Sequence, residues 1–458
     1  MRPAAWCWAL ALAGCATLEP AYRPPAAPVP DSWPAVEAGA AQAPAAWRRF
    51  FIDAGLRETI AAALANNRDL RAAAANVLAA RAQYRIQDAA RLPAVQLQGN
   101  ANRQLTRGGA AALDADSRSV GAGLGVSAFE LDLFGRVRKL GEAQWQRYLA
   151  SEAGAQAARV SLIAETADAY LTLAADRSQL AAARATLDSA ERSLALTRER
   201  LRLGASSRLD LNAMEALRHQ ARADVARYQG QAEADRLALQ LLVGDALDEA
   251  RLPAGLDEGD YTLTVPPLDT PAGVLLRRPD VRQAERLLRA ADADVAAARA
   301  ALLPRFGLDA SGGLGGLTLG GLLATPARTF AAALNVGMPW LDGGAARAGV
   351  DAADAQRLAA LAAYEKALQT GFRETAEALE RRVAIADERQ ARQAALSSAE
   401  SALSLAQSRY RLGLDGYLSL LEAQRAAQAA RQLSIAARLA EAGNMVALYR
   451  ALGGGADD

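Results

Sequence analysis

A long periodic segment occurs twice in this chain, and it restricts the possible folds more than any other feature. Gly135 and Gly344 are separated by the same interval as Arg202 and Arg411. Around the second pair, the stretch RERLRLGASSRLDL aligns with QSRYRLGLDGYLSL. Chance similarity would not keep one interval over such a distance, so the sequence predicts two copies of a single structural plan.

Each copy is predicted to contain one very long helix, at residues 135–203 and 344–412. Large apolar residues return at every seventh position within both helices. In chain order they are Leu173, Leu180, Leu187, Leu194 and Leu201, then Leu396, Leu403 and Tyr410. This repeat is typical of a coiled-coil seam, and an antiparallel hairpin that packs on itself explains the same seam. A helix of roughly 70 residues measures about 100 Å, which excludes an ordinary compact domain.

Two β-segments with alternating polarity are predicted before each long helix. Their apolar faces carry Val95, Leu97, Gly99 and Ala101, then Val120, Ala122, Leu124, Val126 and Ala128, then Phe306, Leu308 and Ala310, and finally Phe330, Leu334, Val336, Met338 and Trp340. The pattern is typical of a membrane barrel around water. A half-buried sheet in a soluble protein is the alternative. Aromatic residues make up only 5% of the chain, so few bulky side chains are available for a soluble sheet to cover.

The number of strands has a consequence for assembly. Four strands cannot close a barrel, since the smallest bacterial barrels need about eight. Open sheet edges are not tolerated in lipid, so we expect the chain to oligomerise. The predicted fold class is mainly α with a small β part. Long antiparallel coiled-coil hairpins would form an α-barrel, and four strands from each of three protomers would form a transmembrane β-barrel of about twelve strands.

The first residues have the features of an export signal. Arg2 precedes an apolar run that is too short to span a bilayer. The run ends in Leu12-Ala13-Gly14-Cys15, which resembles a lipobox and predicts cleavage before Cys15 and acylation of its thiol. An ordinary signal peptide with an incidental cysteine is the alternative. Ala16 follows, as in lipoproteins sorted to the outer membrane. Cys7 is the only other cysteine, so the mature chain has no internal disulfide.

These features predict a division of the chain into six parts. They are a signal peptide at 1–14, a lipidated extended N-terminal arm at 15–52, a first repeat at 53–243, a linker at 244–270, a second repeat at 271–452 and a flexible C-terminal tail at 453–458. Each repeat should begin with a helix and end with a shorter helix after the long one. These helices are expected at 53–91 and 207–243, and at 271–302 and 416–452. The linker is rich in Asp, Gly and Pro and has one predicted short strand at 261–265.

Residues that commonly carry catalysis or bind metals are scarce. His219 is the only histidine, and its place between Arg218 and Gln220 indicates a solvated or hairpin-packed side chain. With one histidine and no free mature cysteine, zinc sites and Ser–His or Cys–His pairs are nearly excluded. The glycine run 312–316 lacks the Lys and Ser or Thr of a phosphate-binding loop. We predict no enzyme activity, no metal site and no cofactor besides a lipid on Cys15. The net charge of +1 does not favour nucleic acid as a partner.

Several motifs in this order resemble those of the TolC-type outer-membrane factor family, in its lipoprotein branch. They are EPAYRPPAAPVPDSW, WRRFFIDAGLRETIAAALANNRDLRAA, LDLFGR, LLRRPDVRQAE and LDGG. Together they cover nearly the whole mature chain, although PAGVLLRRPD is shorter than the family's usual approach to its motif. The resemblance implies a homotrimeric channel with a barrel in the outer membrane and a helical tunnel across the periplasm. It also implies a periplasmic adaptor, an inner-membrane pump and no chemistry of its own.

The resemblance places the periplasmic tips of the channel at the two turns that follow the long helices. The second turn is similar to the family's gate, where Asp415 would form a ring of three carboxylates on a three-fold axis. Such a ring would raise the pKa of the carboxylates or recruit a cation, which would favour cationic substrates. Leu412 and Leu414 would form an apolar constriction beside it. The alternatives are a helix N-cap for Asp415 and packing inside the hairpin for the two leucines. The candidate adaptor-docking residues are Leu203, Gly204, Ser207, Leu209, Gly413, Gly416 and Leu418, with Ser207 also expected to cap a helix.

The leading functional hypothesis is passive export of small molecules through the outer-membrane component of a tripartite efflux system. A duct for type I protein secretion is one alternative. A periplasmic coiled-coil lipoprotein without a pore is another, although such a tether needs no lipid-facing sheet. An exported enzyme is disfavoured, because the sequence offers no constellation of catalytic side chains.

Overall fold

The computed structural model describes residues 25–30, 33, 46–106, 115–256 and 272–455. Two compact units are present. The first contains the described residues of 76–152 and 283–365, and the second those of 27–75, 153–282 and 366–458. Cys15 and the strand predicted at 261–265 lie outside the described residues.

The described part of the chain is mainly helical, with one small antiparallel sheet. Its helices are α1 (Trp47–Phe50), α2 (Ala54–Asn66), α3 (Arg68–Ala89), α4 (Arg136–Arg202), α5 (Arg208–Val243), α6 (Pro279–Ala300), α7 (Leu319–Ala324), α8 (Ala345–Arg411) and α9 (Tyr417–Ala451). Its strands are β1 (Val95–Thr106), β2 (Ala115–Leu131), β3 (Arg305–Gly316) and β4 (Ala327–Gly337). Short 3₁₀ turns occupy Glu249–Arg251 and Ala272–Arg277.

The two long helices, α4 and α8, each contain 67 residues and confirm the predicted elements. Their seam is apolar and closely packed, since Leu173, Leu194 and Tyr410 are buried. Ala183 and Ala190 are also buried, and such small residues allow neighbouring helix backbones to approach closely. The heptad pattern therefore marks the packed side of the long helices, as predicted.

The prediction of one continuous helix at 53–91 is wrong, because the helix breaks at Asn67. This residue has an extended backbone, with φ −56° and ψ 134°. Its side chain accepts a hydrogen bond from the Leu70 N–H at 2.9 Å and donates one to the Leu242 carbonyl at 2.9 Å. The amide thus starts α3 and joins it to the end of α5, which gives the break a structural role.

The N-terminal arm, predicted to be extended, is packed at some of its described residues. Residues 25–30 are exposed or half-buried. Trp33 is buried and stacks on Phe372, with ring centroids 4.8 Å apart. Phe50 and Phe51 are buried against Tyr449 of α9, with centroid distances of 4.9 and 5.5 Å. Aromatic burial of this kind is strongly stabilising, so these aromatic residues are part of the packed interior of the second unit.

The expected flexible tail does not begin at residue 453. Gly453 and Gly454 turn the chain with φ of 87° and 72°, a conformation that L side chains rarely adopt. Gly454 is buried, and a Cβ placed on it would lie 2.8 Å from Val160 Cγ2. The chain therefore stays packed through the last described residues, and 456–458 lie outside them.

The four strands form one sheet in the order β1-β2-β3-β4, with every neighbouring pair antiparallel. Directly paired residues share a face, and the register gathers the predicted apolar residues on one side. The paired rows include Leu97↔Leu124, Val126↔Ala310, Leu308↔Leu334 and Phe306↔Val336. The other face carries mainly glycine, alanine and uncharged polar residues, among them Gln98, Asn100, Ser119, Gly123, Gly313 and Asn335, with Glu130, Arg305 and Asp309 near one end. The predicted alternation is thus confirmed for these strands.

A β-bulge in β2 corrects one assignment. The register shifts between Val126 and Phe129, and Ala128 has a positive φ of 54°. Asp309 holds this conformation, because its Oδ1 accepts a hydrogen bond from the Ala128 N–H at 2.7 Å. Ala128 was expected on the apolar face, but the extra residue places Phe129 there instead.

Candidate functional site

The two predicted tips are turns of the same geometry. Gly204 follows α4 with φ 77°, and Gly413 follows α8 with φ 74°. The next residue in each turn bonds back to the helix: the Ala205 N–H donates to the Arg200 carbonyl at 2.7 Å, and the Leu414 N–H donates to the Arg409 carbonyl at 2.9 Å. This is the glycine-terminated helix end in which only a residue without Cβ is unstrained.

Ser207 caps helix α5, as predicted. Its Oγ accepts a hydrogen bond from the Asp210 N–H at 3.1 Å, and the Asp210 carboxylate accepts one from the Ser207 N–H at 3.0 Å. These bonds lower the pKa of Asp210, the backbone bond from Ser207 contributing most. The reciprocal arrangement satisfies two N–H groups that a helix end otherwise leaves open.

Replacing Ser207 with alanine is expected to lower the free energy of unfolding by about 1 kcal/mol, since a cap is lost. Thermal unfolding followed by circular dichroism measures the change. Ser207→Thr is the matched control, because its hydroxyl can keep the cap, whereas Ser206 donates to the same Asp210 carboxylate at 3.0 Å and is unsuitable. Equal stability of the two variants would contradict the capping role.

Asp415 forms an ion pair and does not cap a helix. Arg409 donates from Nε and Nη2 to the two Asp415 carboxylate oxygens, at 2.6 and 2.8 Å. The N-cap of α9 is Gly416, without a side-chain hydrogen bond, so the capping alternative is wrong. Within one chain Arg409 lowers the pKa of Asp415, opposite in direction to the rise that a carboxylate ring would produce.

The predicted constriction leucines are open to solvent in the single chain. Leu412 is 75% exposed and Leu414 is 63% exposed, so the alternative that they pack inside their hairpin is wrong. Three docking candidates share this property, namely Leu203, Leu209 and Leu418. Five exposed leucines at two adjacent turns form an apolar surface of the kind that marks a protein interaction site.

The structure brings the two turns together through residues that the sequence did not single out. The Arg200 guanidinium lies 4.5 Å above the ring of Tyr410 and donates to its carbonyl at 2.8 Å. The Tyr410 hydroxyl and Thr197 Oγ1 are 3.2 Å apart and buried. The heptad marked Tyr410 as a seam residue, but no local signal identifies Arg200 as its neighbour, or Arg409 as the partner of Asp415.

The remaining candidates lie in helix α5 and in the sheet. His219 is exposed, with Nε2 3.2 Å from Arg218 Nη2. The glycine run 312–316 lies within strand β3. In the described ranges, no group of three or more His, Cys, Asp or Glu residues is placed to hold a metal ion. None of the helices in these ranges has the length and apolarity needed to cross a bilayer.

The backbones of β2 and β3 lie close together on the polar face of the sheet at two glycines. A Cβ placed on Gly123 would lie 2.7 Å from the Gly312 carbonyl oxygen and 2.8 Å from Gly313 Cα. A Cβ on Gly313 would lie 2.7 Å from the Ala122 carbonyl oxygen. On the apolar face, a Cβ on Gly312 would meet nothing closer than 3.8 Å. Because crowding is greatest on the inner side of a curved sheet, we infer that the polar face is the concave one at this point.

Comparisons with known proteins agree over nearly the full chain. The model of the outer membrane efflux protein family matches residues 59–245 and 271–454. Outer membrane protein OprJ of Pseudomonas aeruginosa is 40% identical, covering 98% of this chain and 95% of that protein. The toluene efflux pump outer membrane protein TtgC of Pseudomonas putida is 37% identical, covering 98% and 94%.

A solved structure has the same fold. The open state of the MtrE outer membrane channel of Neisseria gonorrhoeae superposes with a TM-score of 0.86 at 34% identity, covering 96% of this chain and 98% of that one. Fold, sequence and family model agree, and this chain belongs to the outer membrane efflux protein family.

Proposed function

We propose that the protein is the outer-membrane channel of a tripartite efflux system and passively exports small molecules. The observation that carries this proposal is the sheet, which has one polar face and one apolar face open to the surroundings. Leu97 and Phe330, on opposite edge strands of the apolar face, are each 82% exposed. A soluble protein rarely leaves so large an apolar surface open, whereas a membrane barrel needs it. The relatives support the same role.

The proposed assembly is a homotrimer. In the described sheet, β1 and β4 each pair with one neighbour, so each has an edge able to bind a further strand. Joining β1 of one protomer to β4 of the next would close the sheet at about twelve strands without an edge in lipid. The long antiparallel hairpins would form an α-barrel. The exposed residues of α4 and α8 would supply the contacts between protomers.

The two turns are the proposed contact with a periplasmic adaptor, which would link the channel to an inner-membrane pump. The support is the apolar surface formed by the exposed leucines around the turns. Asp415, Leu412 and Leu414 are the proposed gate. Because Arg409 neutralises Asp415 within each chain, the proposed gate is a ring of ion pairs, and breaking them would be required for a carboxylate ring to form.

The predicted chain organisation is part of the proposal. The two ranges matched by the family model support an origin by duplication, with a linker between the repeats. Residues 1–14 would be removed as a signal peptide and Cys15 would carry acyl chains that anchor the arm in the outer membrane. Mass spectrometry of the mature N-terminus tests this point, since acylation that persists in Cys15→Ser would contradict it.

Cysteine cross-linking tests the trimer. Gln98→Cys on β1 is combined with a cysteine at Ala331, Ala333 or Asn335 on β4, all on the polar face. At least one pair is expected to give a covalent trimer upon oxidation, because the two edges would be adjacent between protomers. Gln98→Cys alone is the control and is expected to remain monomeric in denaturing gels. Failure of every pair to link protomers would overturn the barrel.

Planar bilayer recordings test the channel. Purified protein is expected to give discrete conductance steps. The Asp415→Asn variant is expected to change the preference of the channel between cations and anions. A non-conducting structural lipoprotein would give no steps, so their absence would refute the proposal.

A further inference from the structure

The connection between β3 and β4 is apolar but ordered. Residues 317–326 read LTLGGLLATP and contain no charged side chain. Thr318 caps helix α7, its Oγ1 accepting a hydrogen bond from the Gly321 N–H at 3.1 Å. The Leu322 N–H donates to the Thr318 carbonyl at 2.9 Å. These bonds hold four leucines in a defined arrangement at the end of the sheet.

Helix α7 lies over the apolar face of the sheet. Alternate residues of a strand point to the same side, so Gly316 faces the same way as Gly312, which is paired with Phe330. A Cβ on Gly316 would lie 2.7 Å from the Leu322 backbone nitrogen and 3.1 Å from Leu322 Cα. The helix backbone therefore rests on the convex, apolar side, opposite the polar concave side.

Among the residues that the structure describes, none covers the outer leucines of this segment. Leu317, Leu319 and Leu323 are 75%, 64% and 79% exposed. They lie above β2 and β3, the two inner strands of the sheet. A neighbouring protomer that paired with β1 or β4 would contact only the edge of the sheet. The middle of the convex face would remain exposed to the surrounding medium. The occupant that fits an outward apolar segment on a membrane-facing sheet is lipid.

Three arginines lie on the same face of the sheet as α7. Arg103 is paired with Arg118, and Arg328 is paired with Leu314, so all three lie on the apolar side near this end of the strands. Asp116 accepts hydrogen bonds from Arg103 and Arg118, each at 3.0 Å. Three guanidinium groups thus accompany one carboxylate among the described residues here. Guanidinium binds phosphate oxygens bidentately, and this suits anionic lipid headgroups.

We infer that α7 and these arginines form a binding site for anionic lipid at the end of the sheet where both hairpins close. The leucines enter the acyl-chain region, and Arg103, Arg118 and Arg328 hold headgroup phosphates. This inference rests on the proposed membrane sheet, because the apolar face must contact lipid for α7 to do so.

Fluorescence quenching in proteoliposomes tests the depth of α7. In a background with Cys7→Ser and Cys15→Ser, which removes both native thiols, an environment-sensitive thiol label is placed at Leu323→Cys, at Phe330→Cys on the apolar face, or at Ser119→Cys on the polar face. Brominated acyl chains are expected to quench the Leu323 label about threefold more than the Ser119 label, since leucine-rich segments at an interface bury in the acyl boundary. Iodide dissolved in the water is expected to quench the Ser119 label more than the Leu323 label.

The Phe330 label separates the two proposals. Quenching by lipid at Phe330 but not at Leu323 would overturn the lipid site and leave the membrane sheet intact. Absence of quenching at both positions would contradict the membrane sheet itself.

The choice of headgroup is tested with vesicles of phosphatidylglycerol or phosphatidylcholine. The native protein is expected to unfold at a higher temperature in phosphatidylglycerol. The combined variant Arg103→Gln, Arg118→Gln and Arg328→Gln should lose most of this difference. Arg305→Gln, at the opposite end of the sheet, is the control and should keep it. The headgroup site would be refuted if the native protein unfolded at the same temperature in both lipids. It would also be refuted if the combined variant showed the same difference between the lipids as the native protein.

Discussion

Replacing Arg278 with alanine is expected to lower the free energy of unfolding by about 3 kcal/mol, because it removes one partner from a buried ionic network. Arg278 is 5% exposed. Its guanidinium donates to Asp280 at 3.0 and 2.7 Å, to Glu374 at 3.0 Å and to the Ala451 carbonyl. The side chain therefore joins the start of α6, the middle of α8 and the end of α9.

The Arg278 guanidinium stays charged. Burial by itself would lower the pKa of Arg278, but the carboxylates of Asp280 and Glu374 outweigh it and raise the pKa above its ordinary value. Without the guanidinium, Asp280 would keep only the Val281 N–H and the Ala451 carbonyl only the Thr375 hydroxyl as donors, and Glu374 would lose its bond to Arg278. Partial exposure of the carboxylates limits the loss, since water can solvate them.

Thermal or chemical unfolding in detergent, followed by circular dichroism, measures this effect. Arg277→Ala is the matched control, because Arg277 is the adjacent residue of the same type and is exposed. It should change stability by less than about 0.5 kcal/mol. Arg278→Lys should recover only part of the loss, since an ammonium cannot reproduce the planar fork. If Arg278→Ala and Arg277→Ala had the same free energy of unfolding, the network would have no structural importance.

Gly313→Ala is expected to destabilise the sheet by about 1–3 kcal/mol in each protomer, because the added methyl group has no space. Its carbon would lie 2.7 Å from the Ala122 carbonyl oxygen and 2.9 Å from Gly123 Cα. Both atoms belong to the backbone of the neighbouring strand, so relief would require the strands to separate or the curl to relax. The cost would be repeated in every copy of an assembled barrel.

Gly312→Ala is a control of equal chemistry one residue away. Its methyl group would meet Phe330 Cδ2 at 3.8 Å, an ordinary contact on the open, apolar side. The heat stability of the assembled protein in a mild detergent gel compares the two variants, with Gly313→Ala expected to dissociate at the lower temperature. The reverse order, or no difference, would show that the polar face is not the concave one.

Much of the candidate site was predictable, for local reasons. Gly204 and Gly413 end helices because a left-handed residue is needed there, and Ser207 caps because its own neighbour Asp210 completes the box. The assignment of Asp415 failed because its partner, Arg409, reaches it only after the turn has formed. Likewise, the exposed state of Leu412 and Leu414 depends on how the hairpins pack and not on their spacing.

The long helices, the alternating strands and the two glycine turns could all be predicted from the sequence. Each depends on a period or a residue type that acts over a few neighbours. The break at Asn67, the bulge at Ala128 and the place of α7 on the apolar face became evident only in the folded chain. These depend on contacts between segments far apart in the chain, such as Asn67 with Leu242 and Ala128 with Asp309. Such contacts leave no periodic trace, because a single side chain is enough to form each of them.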